Sequence, residues 1–326
     1  MTRPSDYLPT EYTSAVTDST GRTYQKDLNK FWAWALGTGA LKRVRYPIPA
    51  PVLMAYVKAQ LDGLPNSTVQ KIEAYGLDVT GRPLRVASVR RHLAAISVEH
   101  SLRNLNNPCR EYGISLILRR VAKLERREPD HRHRPITGDV LKNLLAACGK
   151  DLRGKRDRAL LLVGFEGDGR RRSELARLKV EDLEPVEGGY LATLGHHKTK
   201  RITHEGLIFP ILGMAAKALD TWLHSSGIES GLIFQGVHRS GRLLGTAGER
   251  TVNRIVKRLA EKAGYDPDQF SAHSLRSGFM TQAAREGIAL PEAMAVSGHR
   301  SLLVACRYYR AGTVLDNRAA RLAVIR

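Results

Sequence analysis

No run of this sequence is apolar for long enough to span a bilayer, and no amphipathic anchor is evident, which argues against a membrane protein. The opening residues, MTRPSDYLPTEYTSAV, lack the charged start and apolar core of a secretory signal. Cysteine is scarce. Cys109, Cys148 and Cys306 are odd in number and far apart, so they read as reduced cytosolic thiols, not as a disulfide framework or a metal site. Carboxylates form no cluster, and there is neither an internal repeat nor a low-complexity tract. Acidic residues are also in short supply: 32 Asp and Glu face 52 Lys and Arg, a formal charge of +20. An excess of that size repels itself unless a polyanion neutralises it. Nucleic acid fits best, because each neutralised phosphate releases condensed counterions. The basic residues are spread through both halves, as expected if two domains both touch the polyanion.

What is present is mostly helical periodicity. Residues 1–18 read as a flexible leader. A helix from Ser19 or Thr20 carries Tyr24, Leu28, Phe31 and Trp32, and a second follows Pro51 with Leu53, Tyr56, Val57 and Leu61 on one face. Turn formers dominate 63–84, leaving room for one short helix. Ser88 is placed to cap a third helix, with Val89, Leu93 and Ile96 inward. A fourth spans Glu111 to Glu125, with Ile114, Ile117, Val121 and Leu124 inward. The charged, proline-containing stretch around 126–136 reads as a linker. Beyond it, helical patterns occur near 138–148, 155–165, 171–178, 213–224, 249–263, 274–286, 291–297, 301–309 and 316–325. Between them, Tyr190–Leu194 and Ile202–Phe209 predict a β-hairpin turning at Gly195–Lys200, with Leu232–Phe234 as a third strand. The fold class is therefore mainly α with a small β-sheet: an all-α first domain over 19–125 and an α+β second domain over 137–326.

Four places could carry chemistry. Gly167–Leu175 is a glycine-rich bend running into a helix whose N-terminus suits a phosphate, with Arg171 and Glu174 on one face. The hairpin turn holds His196, His197 and Lys198. In Ser271–Gly278, His273 and Arg276 stand three apart at a helix start. His299 follows a glycine break, and Tyr308 lies nine residues further on, beside Tyr309. Taken singly, each has a plainer explanation: a solvated basic helix, a surface lysine, a chance His-x-x-Arg pair, an amphipathic core-edge tyrosine. Their order and spacing together do not.

Read in sequence, these pieces resemble the active site of the tyrosine recombinase (phage integrase) family, its Cre-like two-domain members in particular. Gly169, Arg171, Glu174 and Leu175 match G-x-R-x-x-E-L. Gly195, Lys198 and Thr199 match the hairpin box G-x-x-K-T. His273 and Arg276 match H-x-x-R with Gly278 following, Gly298 and His299 match the G-H/W box, and Tyr308 stands at the nucleophile's position. Register to Glu174 selects Arg171, although the family usually has apolar residues where Arg170 and Arg172 flank it. The count from His299 selects Tyr308 over Tyr309. The segments STGRTYQKDLNKFWAW and SVRRHLAAISVEH are similar to the family's core-binding domain, so the resemblance covers roughly 19–326.

The resemblance implies a SAM-like helical core-binding domain and a catalytic domain that together clamp duplex DNA. It implies a site-specific recombinase, with chemistry like that of type IB topoisomerases, that cleaves and rejoins strands through a covalent 3′-phosphotyrosine on Tyr308. Arg171 and Arg276 would grip the non-bridging oxygens, and His299 would add a donor. Lys198 would protonate the leaving 5′-oxygen, and His273 would assist Tyr308 or bond the phosphate. Glu174 would hold the geometry. No cofactor and no metal are implied. The expected partner is double-stranded DNA with inverted half-sites, bound by a homotetramer on two duplexes in which the amphipathic helix Asp316–Ile325 packs on a neighbouring subunit. The expected location is cytoplasmic, nucleoid-associated when DNA is bound. Too little chain precedes residue 19 for a further arm-site-binding domain, so a two-domain enzyme is expected.

Overall fold

The computed structural model describes residues 18–125, 133–194, 207–246, 248–299 and 301–313. Lys198 and the helix expected at Asp316–Ile325 lie outside the described residues. The chain divides into two compact units, Met1–Asp130 and His131–Arg326, and the division falls within the segment 126–136.

The first unit contains α1 (Asp18–Gly37), α2 (Ala50–Asp62), α3 (Asn66–Glu73), α4 (Val86–Leu102) and α5 (Tyr112–Glu125). Among the described residues these are the four main helices expected plus α3, the short helix for which the turn-rich stretch left room. Pro65 starts α3 by presenting its carbonyl to the N–H groups of Thr68 and Val69, and Ile72 is buried. The inward residues of α1, Leu28, Phe31 and Trp32, share one buried core with Tyr56 of α2, in which Phe31 packs edge-to-face on both aromatic rings. Phe31 lies 4.9 Å from Trp32 and 5.1 Å from Tyr56. Two expectations need correction. Ser88 does not cap α4, which begins at Val86; the free N–H of Val86 is taken by the Glu125 carboxylate of α5 at 2.7 Å. On α5 the buried pair is Ile114 and Leu118, while Leu124 is turned out and 55% exposed.

A buried polar network links α1, α2 and α4 of this unit. Asp27 of α1 accepts two hydrogen bonds from Arg91 of α4, at 2.7 and 3.0 Å, and lies 3.2 Å from Nε2 of the buried His92. His92 Nδ1 in turn meets the Tyr56 hydroxyl at 2.8 Å. Burial opposes the charge on Asp27, but hydrogen bonds from His92 and Arg91 outweigh it and hold the carboxyl below its ordinary range.

The second unit comprises α6 (Gly138–Ala146), α7 (Leu152–Glu166), α8 (Arg172–Leu175), β1 (Leu183–Val186), β2 (Gly189–Leu194), β3 (Leu207–Leu212), α9 (Gly213–Ser226), α10 (Glu249–Lys262), α11 (His273–Arg285), α12 (Leu290–Ser297) and α13 (Leu302–Thr313). Helix α7 is buried nearly all round from Ala159 to Val163 and packs against α9 and α11, which makes it the axis of the unit. The sheet is an antiparallel meander, β1-β2-β3, with Leu183 opposite Ala192 and Leu194 opposite Leu207. Its third strand is β1, not Leu232–Phe234. The latter contributes only an isolated bridge between Lys179 and Leu232, because Ile233 and Phe234 are consumed by the core. The β1 strand is hard to read because Pro185 interrupts it. Proline is tolerated there since β1 is an edge strand. Among the described residues no helix is long and apolar enough to cross a membrane.

Candidate active site

The site is built at the point where α7 ends. The chain leaves the helix at Gly167 and turns through Asp168 and Gly169, both left-handed with φ of 65° and 67°. The turn sends the next three arginines in different directions. Arg170 points inward and its side chain is fully buried, with its guanidinium 4.6 Å above the Phe209 ring of β3. Arg172 is exposed and lines a shallow hollow with Arg250, Asn253 and Arg254 of α10. Arg171, half exposed, faces the site: its Nη1 donates to Glu174 at 2.6 Å and its Nη2 to the Gly298 carbonyl at 3.2 Å. The other Glu174 oxygen accepts the Arg171 backbone N–H at 2.9 Å, so one carboxylate fixes both the main chain and the side chain of that arginine. Burial opposes ionisation of Glu174, but these bonds and the charges of Arg170 and Arg171 win and lower its pKa.

Helix α11 supplies the second pair. His273 opens it, and the preceding Ala272 N–H is held by Asn253 of α10 at 2.9 Å. One turn on, the buried Arg276 donates through Nη1 to the Gly169 carbonyl at 2.9 Å, while its Nη2 is buried without a hydrogen-bond partner. Burial and the neighbouring Arg171 push the Arg276 pKa down to about 9.

Helix α12 ends at Gly298 in the left-handed conformation, φ 66°, and the N–H groups of Gly298 and His299 both reach back to the Met294 carbonyl. The His299 ring is oriented by the buried Ser297, whose hydroxyl lies 2.7 Å from Nδ1 and also bonds the Ala293 carbonyl at 2.6 Å. Burial first, then Arg276, Arg171, His273 and Arg170, depresses the His299 pKa to about 3. The pKa of His273 is lowered by burial and by Arg276. Both rings are therefore neutral at neutral pH, within a concentrated field of fixed positive charge.

Tyr308 of α13 closes the site. Its hydroxyl is 2.8 Å from Nε2 of His273, and its ring centroid lies 6.3 Å from that of His299. Tyr309, about 100° further round the helix, packs with the cluster of Met280, Ala283, Ala293 and Ala305. Its hydroxyl is buried, and burial followed by Glu292 raises its pKa.

Six of the seven residues singled out by sequence thus surround one point: Arg171, Glu174, His273, Arg276, His299 and Tyr308. Lys198 belongs to the segment outside the described residues. Sequence reasoning missed Ser297 and Arg170. Ser297 carries no signal beyond its place before the Gly-His pair, whereas Arg170 was visible as a charge where the resembling family is usually apolar. Among the described residues no group of three His, Cys, Asp or Glu side chains is arranged to hold a metal ion. The arrangement is suited to bind a tetrahedral anion and to take a proton from a phenol beside it.

The chain is also similar to known proteins. Residues 134–313 match the model of the phage integrase family. The chain is 31% identical over 242 residues to an integrase/recombinase xerD homolog of Selenomonas ruminantium, covering 71% of this chain and 70% of the relative. It is 24% identical over 261 residues to recombinase cre of Escherichia phage P1, covering 74% and 75%. Among solved structures, it superimposes on the Tn1549 transposon integrase in complex with circular intermediate DNA with a TM-score of 0.61 at 16% identity, covering 96% of this chain and 95% of that one. For the XerH site-specific recombinase bound to palindromic difH substrate, in a post-cleavage complex, the TM-score is 0.59 at 17% identity, covering 93% and 78%. At such identities the structural likeness speaks for the fold.

Proposed function

The chain belongs to the phage integrase family, and we propose that it is a site-specific DNA recombinase that breaks and rejoins strands through a covalent 3′-phosphotyrosine on Tyr308. The observation that carries this reading is the 2.8 Å hydrogen bond between the Tyr308 hydroxyl and His273 Nε2, with Arg276 close enough to interact electrostatically with both the phenol and Arg171. A free phenol has a pKa of about 10 and is a poor nucleophile at neutral pH. A neutral His273 can accept its proton as the phenolic oxygen attacks phosphorus. Arg171 and Arg276 would hold the two non-bridging oxygens, the unsatisfied Nη2 of Arg276 taking one of them. His299 would add a third donor through the one N–H that a neutral imidazole carries. Lys198 is proposed as the acid that protonates the departing 5′-oxygen. The tyrosyl ester then conserves the linkage until another strand's 5′-hydroxyl attacks it and expels Tyr308, so no external energy source is consumed.

The partner in this reading is double-stranded DNA. The net charge of +20 and the arginine-lined hollow at Arg172, Arg250 and Arg254 favour phosphates alongside the reacting one. The helical first unit would act as the core-binding half of a clamp. A tetramer on paired inverted half-sites, joined by exchange of Asp316–Ile325, completes the proposal. In its favour, α13 exposes Leu302, Leu303 and Val304, the first two by 59% and 76%. The test is a nicked suicide duplex, selected from a random-sequence library by binding, followed on a denaturing gel. A protein–DNA adduct should form with the unaltered chain and with Tyr309→Phe, and should disappear with Tyr308→Phe. An adduct that survives Tyr308→Phe would overturn the assignment. Sedimentation of the protein with duplexes carrying inverted half-sites tests the tetramer.

A further inference from the structure

Arg170 stands where an apolar residue would be expected, and its surroundings join three segments of the candidate site. Its Nη2 donates to the Val296 carbonyl at 2.7 Å and to the Asp168 carbonyl at 3.1 Å. Val296 lies in the last turn of α12, three residues before His299. The Arg170 guanidinium also stacks on Phe209 of β3, and its Nη1 is 4.0 Å from Glu174. Covalently, Arg170 is the neighbour of Arg171.

A charge buried this completely is costly, and its Nε and Nη1 have no hydrogen-bond partner. An apolar side chain of similar length would fill the same volume without that cost, and such replacements of buried ions are often neutral or stabilising. Stability of the unit is therefore a poor explanation for an arginine here. What it supplies, and an apolar residue cannot, is a directed tie between the turn that presents Arg171 and the end of α12 that presents His299. We propose that Arg170 is a positioning residue: a buried clasp that fixes the Gly298–His299 corner relative to Arg171. Its catalytic consequence rests on the recombinase reading.

The test uses Arg170→Met in the full chain, with two readouts. Without DNA, amide hydrogen exchange of Gly298 and His299, whose N–H groups bond the Met294 carbonyl, should accelerate at least about tenfold while the α7 amides Leu160–Val163 keep their protection. With saturating nicked duplex, single-turnover adduct formation should fall by about 10²-fold, with DNA affinity unchanged. In a His299→Ala background the same change should cost no more than about twofold, since the residue being positioned is gone. Unchanged exchange at Gly298 and His299 would overturn the clasp. So would uniform loss of protection across the unit, or an equal rate loss in both backgrounds. If the unaltered chain forms no adduct, the recombinase reading is what fails, and the exchange measurement alone decides the clasp.

Discussion

Arg276 is seated on Gly169: the guanidinium of one arginine box hydrogen-bonds, at 2.9 Å, the main-chain carbonyl of the other. Residues more than a hundred positions apart in sequence thereby share one rigid corner. The two proposed phosphate-gripping arginines owe their spacing to this bond and to the bond between Arg171 and Gly298.

Arg276→Lys should therefore be far from conservative. Lysine cannot hold the Gly169 carbonyl and a phosphate oxygen at once, because it lacks the planar fork. Adduct formation on a nicked duplex should fall about 10²–10³-fold, the usual loss for one oxyanion donor. DNA affinity measured by fluorescence anisotropy should change much less.

Gly169→Ala should damage both folding and activity. The residue sits at φ 67°, where an L side chain costs about 1–2 kcal/mol, and a Cβ would approach the Phe279 Cβ to 2.9 Å and the Arg276 Cα to 3.2 Å. Urea denaturation should show a loss of at least about 1–2 kcal/mol. The surviving folded protein should cleave slowly, since the added atom pushes on Arg276 itself.

Acid should destabilise the DNA-free second unit through its histidines. The folded state holds His299 near 3, against an ordinary 6.5, and lowers His273 as well, so the unfolded chain takes up protons first. Stability from this source is intact above about 6.5 and is lost progressively as pH falls towards 3. Melting temperatures compared at pH 7 and pH 5 should show a drop, and His299→Gln should make that drop smaller. An unchanged or larger drop in the variant would count against the buried environment described for His299.

In the first unit, Asp27→Ala should cost about 1–3 kcal/mol in urea denaturation, because it leaves the buried His92 without its acceptor. Arg91→Ala should cost about 1 kcal/mol or less, since the Arg91 side chain is 47% exposed and His92 still faces the carboxylate. Comparable losses from both would mean that the network is governed by Arg91 instead.

The helices were legible wherever local periodicity and burial coincide, as in α2, where Leu53, Tyr56 and Val57 all face inward. The six convergent site residues were legible because family spacing ties them to helix starts and ends. What escaped had causes far away in sequence. The start of α4 is set by Glu125 on another helix, so the nearby Ser88 was a misleading signal. The β1 strand is defined by its partner β2 and tolerates Pro185 only because it is an edge. Leu232–Phe234 looked like a strand because three apolar residues in a row are equally compatible with a core plug, and Trp222 settles the matter by bonding the Ile233 carbonyl. Arg170 stands out in the sequence as a charge at a usually apolar position, but the carbonyl it holds at Val296 lies 126 residues away, beyond any local pattern.

Each of the three guanidinium groups at this corner rests on main-chain oxygen: Gly298 under Arg171, Gly169 under Arg276, Val296 and Asp168 under Arg170. A carbonyl survives any substitution at its own residue. Point changes over the rest of the surface, of the kind a directed-evolution library makes to retarget an enzyme, should leave these seats undisturbed. A one-residue insertion or deletion within 164–171 or 294–299 relocates the oxygens themselves, and such length variants should be purged from any library selected for recombination.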